Sequence, residues 1–584
     1  MQVGSSPLNT VPVNSGGSVE PQGPAPVVAA EAYDWLVQVI IGGTDRTSDL
    51  MDVPSIDRER GGAGLADFNL LIPEGAFHHE QWRGQPVYIN YISERDGVVS
   101  VRRRFTGWVV SPVWNSARRT LLCKCSDRLQ KRIDALSIEA INGLAPAYWS
   151  ADVYSDAAGR SRWEYLQERL ETVVASVNSD ALGNLVYSTW YAGPVEFEFG
   201  HGTTLAGSVE IESAELNSLT NKVEIEADWR FPRLRQKNVG YGWSHPDTGG
   251  FSGMQGFCSW YNDTSELPDV DMILSACESS GQTVISAGFQ RLPLTMADPC
   301  GNGGAWINEY PDLVLSAYVT AARRWVQTIT ENYRLTLVAS ASVEANGEVV
   351  ERDRVAVEVE SDRAEAWDSN DFGRRAGNAI EVHDDDSGGQ TGHSDDLRDE
   401  PRRLSAVRCI LNLWRSKIIK AHTQTIVRWQ VPTSAVMDID LGQTLYLNDQ
   451  RVRAVGRCCR IEDAFDLVGG TAITTLSIAV MRGGGSTNDP MEPPAYPVES
   501  PPGPPGVAPS GALPTQLGGR SSSPEYDDEK DGFSGNYSMS EFPGQFPRRF
   551  SVTAPEIPAA VRDEKKIEIG QVYRIAIPND LLEV

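Results

Sequence analysis

The residues best equipped for chemistry lie in one stretch: His383-Asp384-Asp385-Asp386, followed by His393, Asp395 and Asp396. Hard cations such as Ca²⁺ and Mg²⁺ take oxygen ligands from loops of this kind. The spacing matches no EF-hand, however, and a run of like charges among Gly and Ser is ordinarily a solvated loop. The other histidines, His78, His79, His201, His245 and His422, fall in no HExxH pattern, and no GxSxG elbow supplies a nucleophile. No GxxxxGK[ST] or GxGxxG phosphate loop is present. The eight cysteines (Cys123, Cys125, Cys258, Cys277, Cys300, Cys409, Cys458 and Cys459) include no CxxC pair. They read as reduced, buried thiols. Cys123 and Cys125, two apart in a strand-like run, share a face, whereas Cys458 and Cys459 face opposite sides. No catalytic, cofactor-binding or metal-ligating residue is assigned, and the chain reads as a non-enzyme.

Two further groups invite a binding role. Arg102-Arg103-Arg104, near Arg118-Arg119, sits on a strand. A basic β-ribbon can touch nucleic acid, but arginine is also enriched at protein interfaces, the preferred reading here. Fifteen tryptophans suggest a sugar-binding surface. Trp163 and Trp429 fall in periodic elements and read as core or interface anchors.

The elements that must carry these residues are mostly β. The 584 residues carry a net charge of −27, which opposes wrapping duplex DNA through its phosphates. No run of 18 apolar residues would span a membrane as a helix, and the apolar stretch 35–41 is too short for a signal peptide. Residues 1–31 and 486–545, rich in Pro, Gly and Ser, read as a flexible arm and an extended spacer. Between them, 35–41 reads as a strand buried on both faces, 87–92 and 98–104 as a hairpin across Asp96-Gly97, and 105–110 and 120–126 as further strands. Ser161 and Glu164 have capping-box spacing and predict a helix over 162–177. Residues 221–235 alternate as a strand, and 240–310 form an irregular insertion. A helix over 312–328 precedes a hairpin of 333–343 and 348–360 closed by Asn346-Gly347. Residues 381–400, with eight acids against one arginine, break the pattern. A helix at 404–421 and strands at 425–431, 443–447, 452–461 and 471–481 follow. The tail alternates like two strands, 567–569 and 572–577.

Two segments resemble the tail hub, or baseplate hub, proteins of tailed bacteriophages. One is FTGWVVSPVWNSARRTLLCKCSDRLQKRIDAL (105–136), which is similar to the end of the hub's first barrel. The other is HTQTIVRWQVP followed by DLGQTLYLNDQRVRAVGRCCRIEDAFDLVGGTAITTLSIAVM (440–481), which looks like its closing barrel. SRWEYLQERLETV and VEIEADWRFPRLRQ, within 155–242, look like phage tail sequence too, so the resemblance covers roughly 32–482. It implies a mainly β fold with α+β insertions: two tail-tube-like antiparallel β-barrel domains, helical insertions and disordered termini. The first barrel would be 32–135, completed by about 186–239, with a helical insertion at 136–185. The second would be 311–360 and 401–485, interrupted by the acidic loop 361–400. The resemblance also implies a homotrimeric ring in the virion, assembled in the host cytoplasm. That ring would join a sixfold tail tube to a threefold central fibre or spike and line the DNA channel. Its partners would be distal tail or tube proteins, the tape-measure protein and the fibre, with DNA passing transiently. The spacer and residues 546–584 depart from the generic hub; the latter is expected to be a docking segment that adds strands to a neighbouring protein. A peripheral tail protein binding cell-surface glycans is the alternative.

Overall fold

A computed structural model describes residues 28, 34–72, 77–244, 267–291, 294–297, 304–307, 311–359, 392–495, 511–516, 529–534 and 549–584. The fold is mainly β. Its larger sheet contains a first antiparallel unit, Asp34–Ile41, Leu50–Glu59, Leu65–Leu71, Pro86–Arg95, Val98–Asn115 and Thr120–Ser126, and a second, Thr425–Pro432, Thr444–Asn448, Arg453–Asp466 and Thr471–Val480. Alternating residues fill each core. Val37, Val39 and Ile41 point inward while Leu36 is exposed, so this strand is buried on one face and not on both. The predicted strands 98–104 and 105–110 are one strand running to Asn115.

The two units share one sheet because Leu50–Glu59 pairs antiparallel with Arg453–Asp466, from Ser55 opposite Ala464 to Glu59 opposite Arg460. This corrects the expected closed barrels. The strand edges that would close each unit on itself are spent on pairing with each other, and the sheet follows an open path.

The second sheet is built on a long ribbon. Lys222–Ser244 pairs antiparallel with Val314–Val338 along its whole length, from Lys222 opposite Val338 to Ser244 opposite Ser316. The helix expected over 312–328 is therefore strand. Its Ala-Ala-Arg-Arg core favours helix locally, but Val319, Thr320, Val326, Thr328 and Ile329 suit a pleated surface, and the continuous partner decides. Nor does Asn346-Gly347 close a hairpin. Ser340–Asn346 is a short helix, Gly347 ends it at φ +80°, and Val350–Glu358 then runs parallel to Lys222–Ser244. Val314–Val338 and Val350–Glu358 lie on opposite sides of Lys222–Ser244, so no tight turn can pair them and the connection steps past the strand between. The partition of the second unit changes with this: 311–360 joins 222–244, while 425–480 continues the first sheet. Part of the 240–310 insertion is regular, as helix Val270–Ser279 and strand Thr283–Arg291.

Helix Glu400–Ala421 packs across the ribbon through Val407, Ile410, Leu411, Trp414 and Ile418. The Asp399 carboxylate accepts from Arg402 N at its start. The Ser161-capped helix, Arg162–Glu171, ends six residues earlier than the periodicity suggests, because Ala175–Ser179 leaves to form a hairpin with Leu185–Thr189.

The C-terminal segment lies on this chain's own surface. Lys565–Arg574 is a single strand, parallel to the ribbon from Ile329 to Val338. Ile577 and Gly484 exchange backbone hydrogen bonds of 3.0 and 2.8 Å, and Leu582–Glu583 pairs with Arg453–Asp466. One tail therefore ties both sheets together. Gly483 permits its approach, since a Cβ there would stand 2.5 Å from Ile577 Cβ. We expect Gly483→Ala to lift the tail, read as faster limited proteolysis after residue 549 with the large sheet intact. Asp580 accepts from Met481 N at 2.9 Å, and burial raises its carboxyl to about 6 despite nearby Arg482. A folded-state value above the ordinary one means that ionisation is penalised in the fold. The stabilisation is complete below about pH 4 and is lost as the pH rises through about 6. Asp580→Asn, which keeps the accepting oxygen, should remove a slope of about 2 kcal/mol from urea titrations between pH 4 and 7.

Candidate functional site: the ionic seam between the two β units

Among the described residues, those with apparent chemistry are not assembled into a reaction centre. His383 to Asp386 lie outside the described residues. Gly392–Asp396 is a strand whose backbone pairs antiparallel with Arg233 to Lys237, in a stretch that carries Arg233, Arg235 and Lys237. Among the described residues, no group of three or more His, Cys, Asp and Glu side chains is placed to hold a metal ion. Cys123, Cys125, Cys277, Cys409, Cys458 and Cys459 are buried free thiols. Burial raises Cys123 and Cys409 to about 12 and Cys277 to about 11, so these thiols stay protonated near neutrality. Cys123 and Cys125 share the core face, as their spacing predicts. Cys458 and Cys459 are both buried, because a bulge between Cys458 and Arg460 lets the strand tuck in both. Cys258 and Cys300 lie outside the described residues.

One Ser–His pair exists. Ser342 Oγ is 2.7 Å from His422 Nε2, and His422 Nδ1 is 2.8 Å from the Ile418 carbonyl. Both residues are buried, and burial lowers the imidazole's pKa. A backbone carbonyl stands where a carboxylate would orient a catalytic base, and the hydroxyl has no approach. The pair joins the short helix after the ribbon to the end of helix Glu400–Ala421.

The arginine string does the work of an interface inside the chain. Between Ile89 and Asn90 the register slips: Ile89 faces Phe105, and Asn90 faces Arg103. Arg104 is the extra residue of this bulge, which turns its side chain into the interior. Its Nε and Nη2 donate to the two Asp463 oxygens at 2.9 and 2.8 Å, with both side chains essentially inaccessible. Nη1 donates to the Met437 carbonyl at 3.2 Å, with Val436 and Ile439 carbonyls at 3.4 and 3.5 Å. Thr474 Oγ1 donates to Asp463 Oδ1 at 2.7 Å. The Asp463 charge holds the Arg104 guanidinium above its ordinary pKa, against the effect of burial.

The same seam carries Arg58 to Asp440 and Arg102 to Asp438, each at 2.5 Å, and Arg460 to Asp57 at 2.7 Å. Tyr91 stacks on Trp35 and Phe465, with its hydroxyl 2.8 Å from Ser434 Oγ. Burial pushes the Tyr91 phenol up to about 12. Arg103 donates to Asn90 and lies over Tyr88, so the whole string has intramolecular partners. Trp429 is fully buried against Phe199, and Trp163 packs at the rim of the helical insertion's core.

A second ionic cluster fixes the ribbon to the long helix. Glu331, fully buried, accepts from the Tyr333 hydroxyl and from Arg398 at 3.3 Å. Arg403 donates to Tyr333 Oη at 2.6 Å and to Glu400. Burial raises the Glu331 carboxyl even though it accepts from Tyr333 and Arg398 and the Arg403 charge is near.

Sequence periodicity did not single out Asp463 or Glu331. Asp463 was detectable, because it occupies an inward position of the alternation Ile461, Asp463, Phe465, where an acid has to find a partner.

No family model matches this chain, and no curated protein does. Solved structures are similar at low identity. The tail protein from Neisseria meningitidis MC58 is 11% identical, with a TM-score of 0.34 over 76% of this chain and 96% of that one. The 43 kDa tail protein of prophage MuSo2 from Shewanella oneidensis is 11% identical, with a TM-score of 0.34 over 76% and 98%. The prophage tail protein gp18 from Listeria monocytogenes EGD-e is 8% identical, with a TM-score of 0.29 over 76% and 94%.

Removing one partner of a buried pair strands the other. Asp463→Ala should therefore cost about 3–5 kcal/mol in equilibrium unfolding. Arg104→Met combined with Asp463→Leu should recover most of that loss, whereas two independent sites would show additive losses.

Proposed function

We propose that this chain is a structural component of a bacteriophage-type tail, and within it a hub at the tail tip or baseplate. The observation that carries this reading is the seam: two antiparallel β units held abreast in one sheet by a buried Arg104–Asp463 pair. A chain that presents two such units as one body converts threefold symmetry into six quasi-equivalent positions when three copies form a ring. The sequence resemblance of 105–136 and 440–481 falls on strands of this sheet, one segment in each unit. The ring would join a sixfold tail tube to a threefold fibre or spike, with the tape-measure protein and later DNA passing through its centre. A net charge of −27 suits a channel that DNA crosses without adhering. In this reading the chain carries out no reaction and needs no cofactor or metal.

Light scattering after size exclusion of the full chain should give three chain masses, and electron microscopy of intact particles should place the chain as a ring at the tail tip. A monomer that binds cell-surface glycans, or a peripheral position in the particle, would overturn the hub assignment.

A further inference from the structure

Across the base of the ribbon the strands run in the order Val350–Glu358, Lys222–Ser244, Val314–Val338 and Lys565–Arg574. Among the described residues, each outer strand has a strand partner on one side only. Val359 N donates to the Arg230 carbonyl and Ile575 N to the Val338 carbonyl, so odd-numbered residues turn their backbone groups inward. The even-numbered residues turn theirs to the open edge, as alternation along a parallel pair requires. At Arg574 that edge is taken by Asp489, which donates to its carbonyl at 2.9 Å and accepts from its N at 2.8 Å. On the other edge Asp353 Oδ1 holds Arg354 N at 2.8 Å, in the place a partner carbonyl would take. Prolines and bulges ordinarily protect such edges. Neither strand contains a proline, and both pair without a register shift. Lysine also guards edges, but Lys566 has an acid, Glu358, at its own level on the opposite edge.

The two edges complement each other. Glu358, Arg230, Thr330 and Lys566 share one level across the sheet, and Val350, Lys222, Val338 and Arg574 share another, so the outer strands span the same height. They also run in opposite directions, because each is parallel to one strand of an antiparallel pair. Set edge to edge at that height, they pair antiparallel with Glu358 opposite Lys566, Ala356 opposite Glu568, Arg354 opposite Gly570 and Arg352 opposite Val572. These even-numbered residues are exposed on both strands. Opposite charges then meet at Glu358 and Lys566, and Arg354 stands diagonal to Glu568, within reach of long side chains. On the other face Val355 and Val357 meet Ile569 and Ile567. All four already pack on the ribbon's core, which would continue through the joint. Within one chain two strands stand between these edges, a separation of about 14 Å at about 4.8 Å per strand. The edge that fits therefore belongs to a second copy.

We propose that copies of this chain join through these edges, Val350–Glu358 of one against Lys565–Arg574 of the next, so that the sheet continues antiparallel from copy to copy. This rests on the multi-copy assembly proposed above and names a joint within it. Main-chain bonds supply the attraction, and the alternate side chains supply the choice of partner. The contact is head-to-tail, so it repeats until the rotation closes a ring.

The full-length double variant Ala356→Cys with Glu568→Cys tests the joint. Disulfides span Cα separations up to about 7 Å, so a bond between these positions has to link two chains. Purified as the oligomer and mildly oxidised, the variant is expected to give covalent species of several chains, with the 356–568 disulfide identified by peptide mass spectrometry. Arg352→Cys with Val572→Cys is expected to do the same, which keeps the test decisive if the first pair perturbs folding. The off-register pair, Arg352→Cys with Glu568→Cys, is expected to give none. An oligomer with neither the 356–568 nor the 352–572 disulfide overturns the joint, as do 356–356 or 568–568 links. The mass before oxidation separates the two ideas: an oligomer lacking the expected disulfides rejects the joint alone, and a monomer rejects the assembly as well.

Discussion

The two β units depend on one buried ion pair. Arg104 and Asp463 lie far apart in sequence, and each is costly to bury alone. Together they are satisfied: two charge-assisted bonds between them, backbone carbonyls around 436–439 for the remaining guanidinium nitrogen, and Thr474 for the carboxylate. A hydrophobic seam would tolerate sliding by a residue or two. A bidentate pair seated on a bulge does not, so the seam fixes register at a place where one residue of slip would turn every side chain over. The surrounding pairs, Arg58–Asp440, Arg102–Asp438 and Arg460–Asp57, are more exposed and worth less individually. Their contribution is to keep the outer parts of the seam in the alignment that Arg104 sets.

The ribbon repeats this logic with a different partner. Glu331, Tyr333, Arg398 and Arg403 join the paired strands to helix Glu400–Ala421 through a network closed on all sides. A half-satisfied network of this kind would be worse than an apolar core, whereas a complete one specifies a single arrangement. The C-terminal tail then spans both bodies, pairing with the ribbon at 329–338 and with Arg453–Asp466 at its last residues. Seam, network and tail thus place two long sheets in a defined relation.

Much of the sheet was legible because its signals are local. Thr120–Ser126 follows from alternation alone, and the strands of 425–480 fall where period and turn residues place them. The ribbon was not legible for the converse reason. Ala321-Ala322-Arg323-Arg324 prefers helix by itself and becomes strand through partners distant in sequence, Gln236 to Val239 on one side and Thr283 and Val284 on the other. Asn346-Gly347 carries a hairpin signal, yet the end of Val314–Val338 is already paired on one side with Lys222–Ser244 and on the other with Lys565–Arg574, so the next strand has to go elsewhere. The arginine string reads from sequence as an interface between protein surfaces; in the structure Arg102, Arg103 and Arg104 meet partners within this chain. Nothing local announces the bulge that turns Arg104 inward.

Charge offers the last link between structure and role. The described arginines of the seam and the ribbon are largely engaged with acids of the same chain, so basic side chains are used up in holding the molecule together. The full sequence still carries a surplus of 27 negative charges. A surface of that sign repels a polyanion at distances up to about the Debye length, roughly 8 Å in physiological salt. That range is short beside the molecule but comparable to the clearance around a duplex in a narrow channel. In the hub reading proposed above, a surplus of that sign would suit a channel that nucleic acid crosses rather than a surface that holds it.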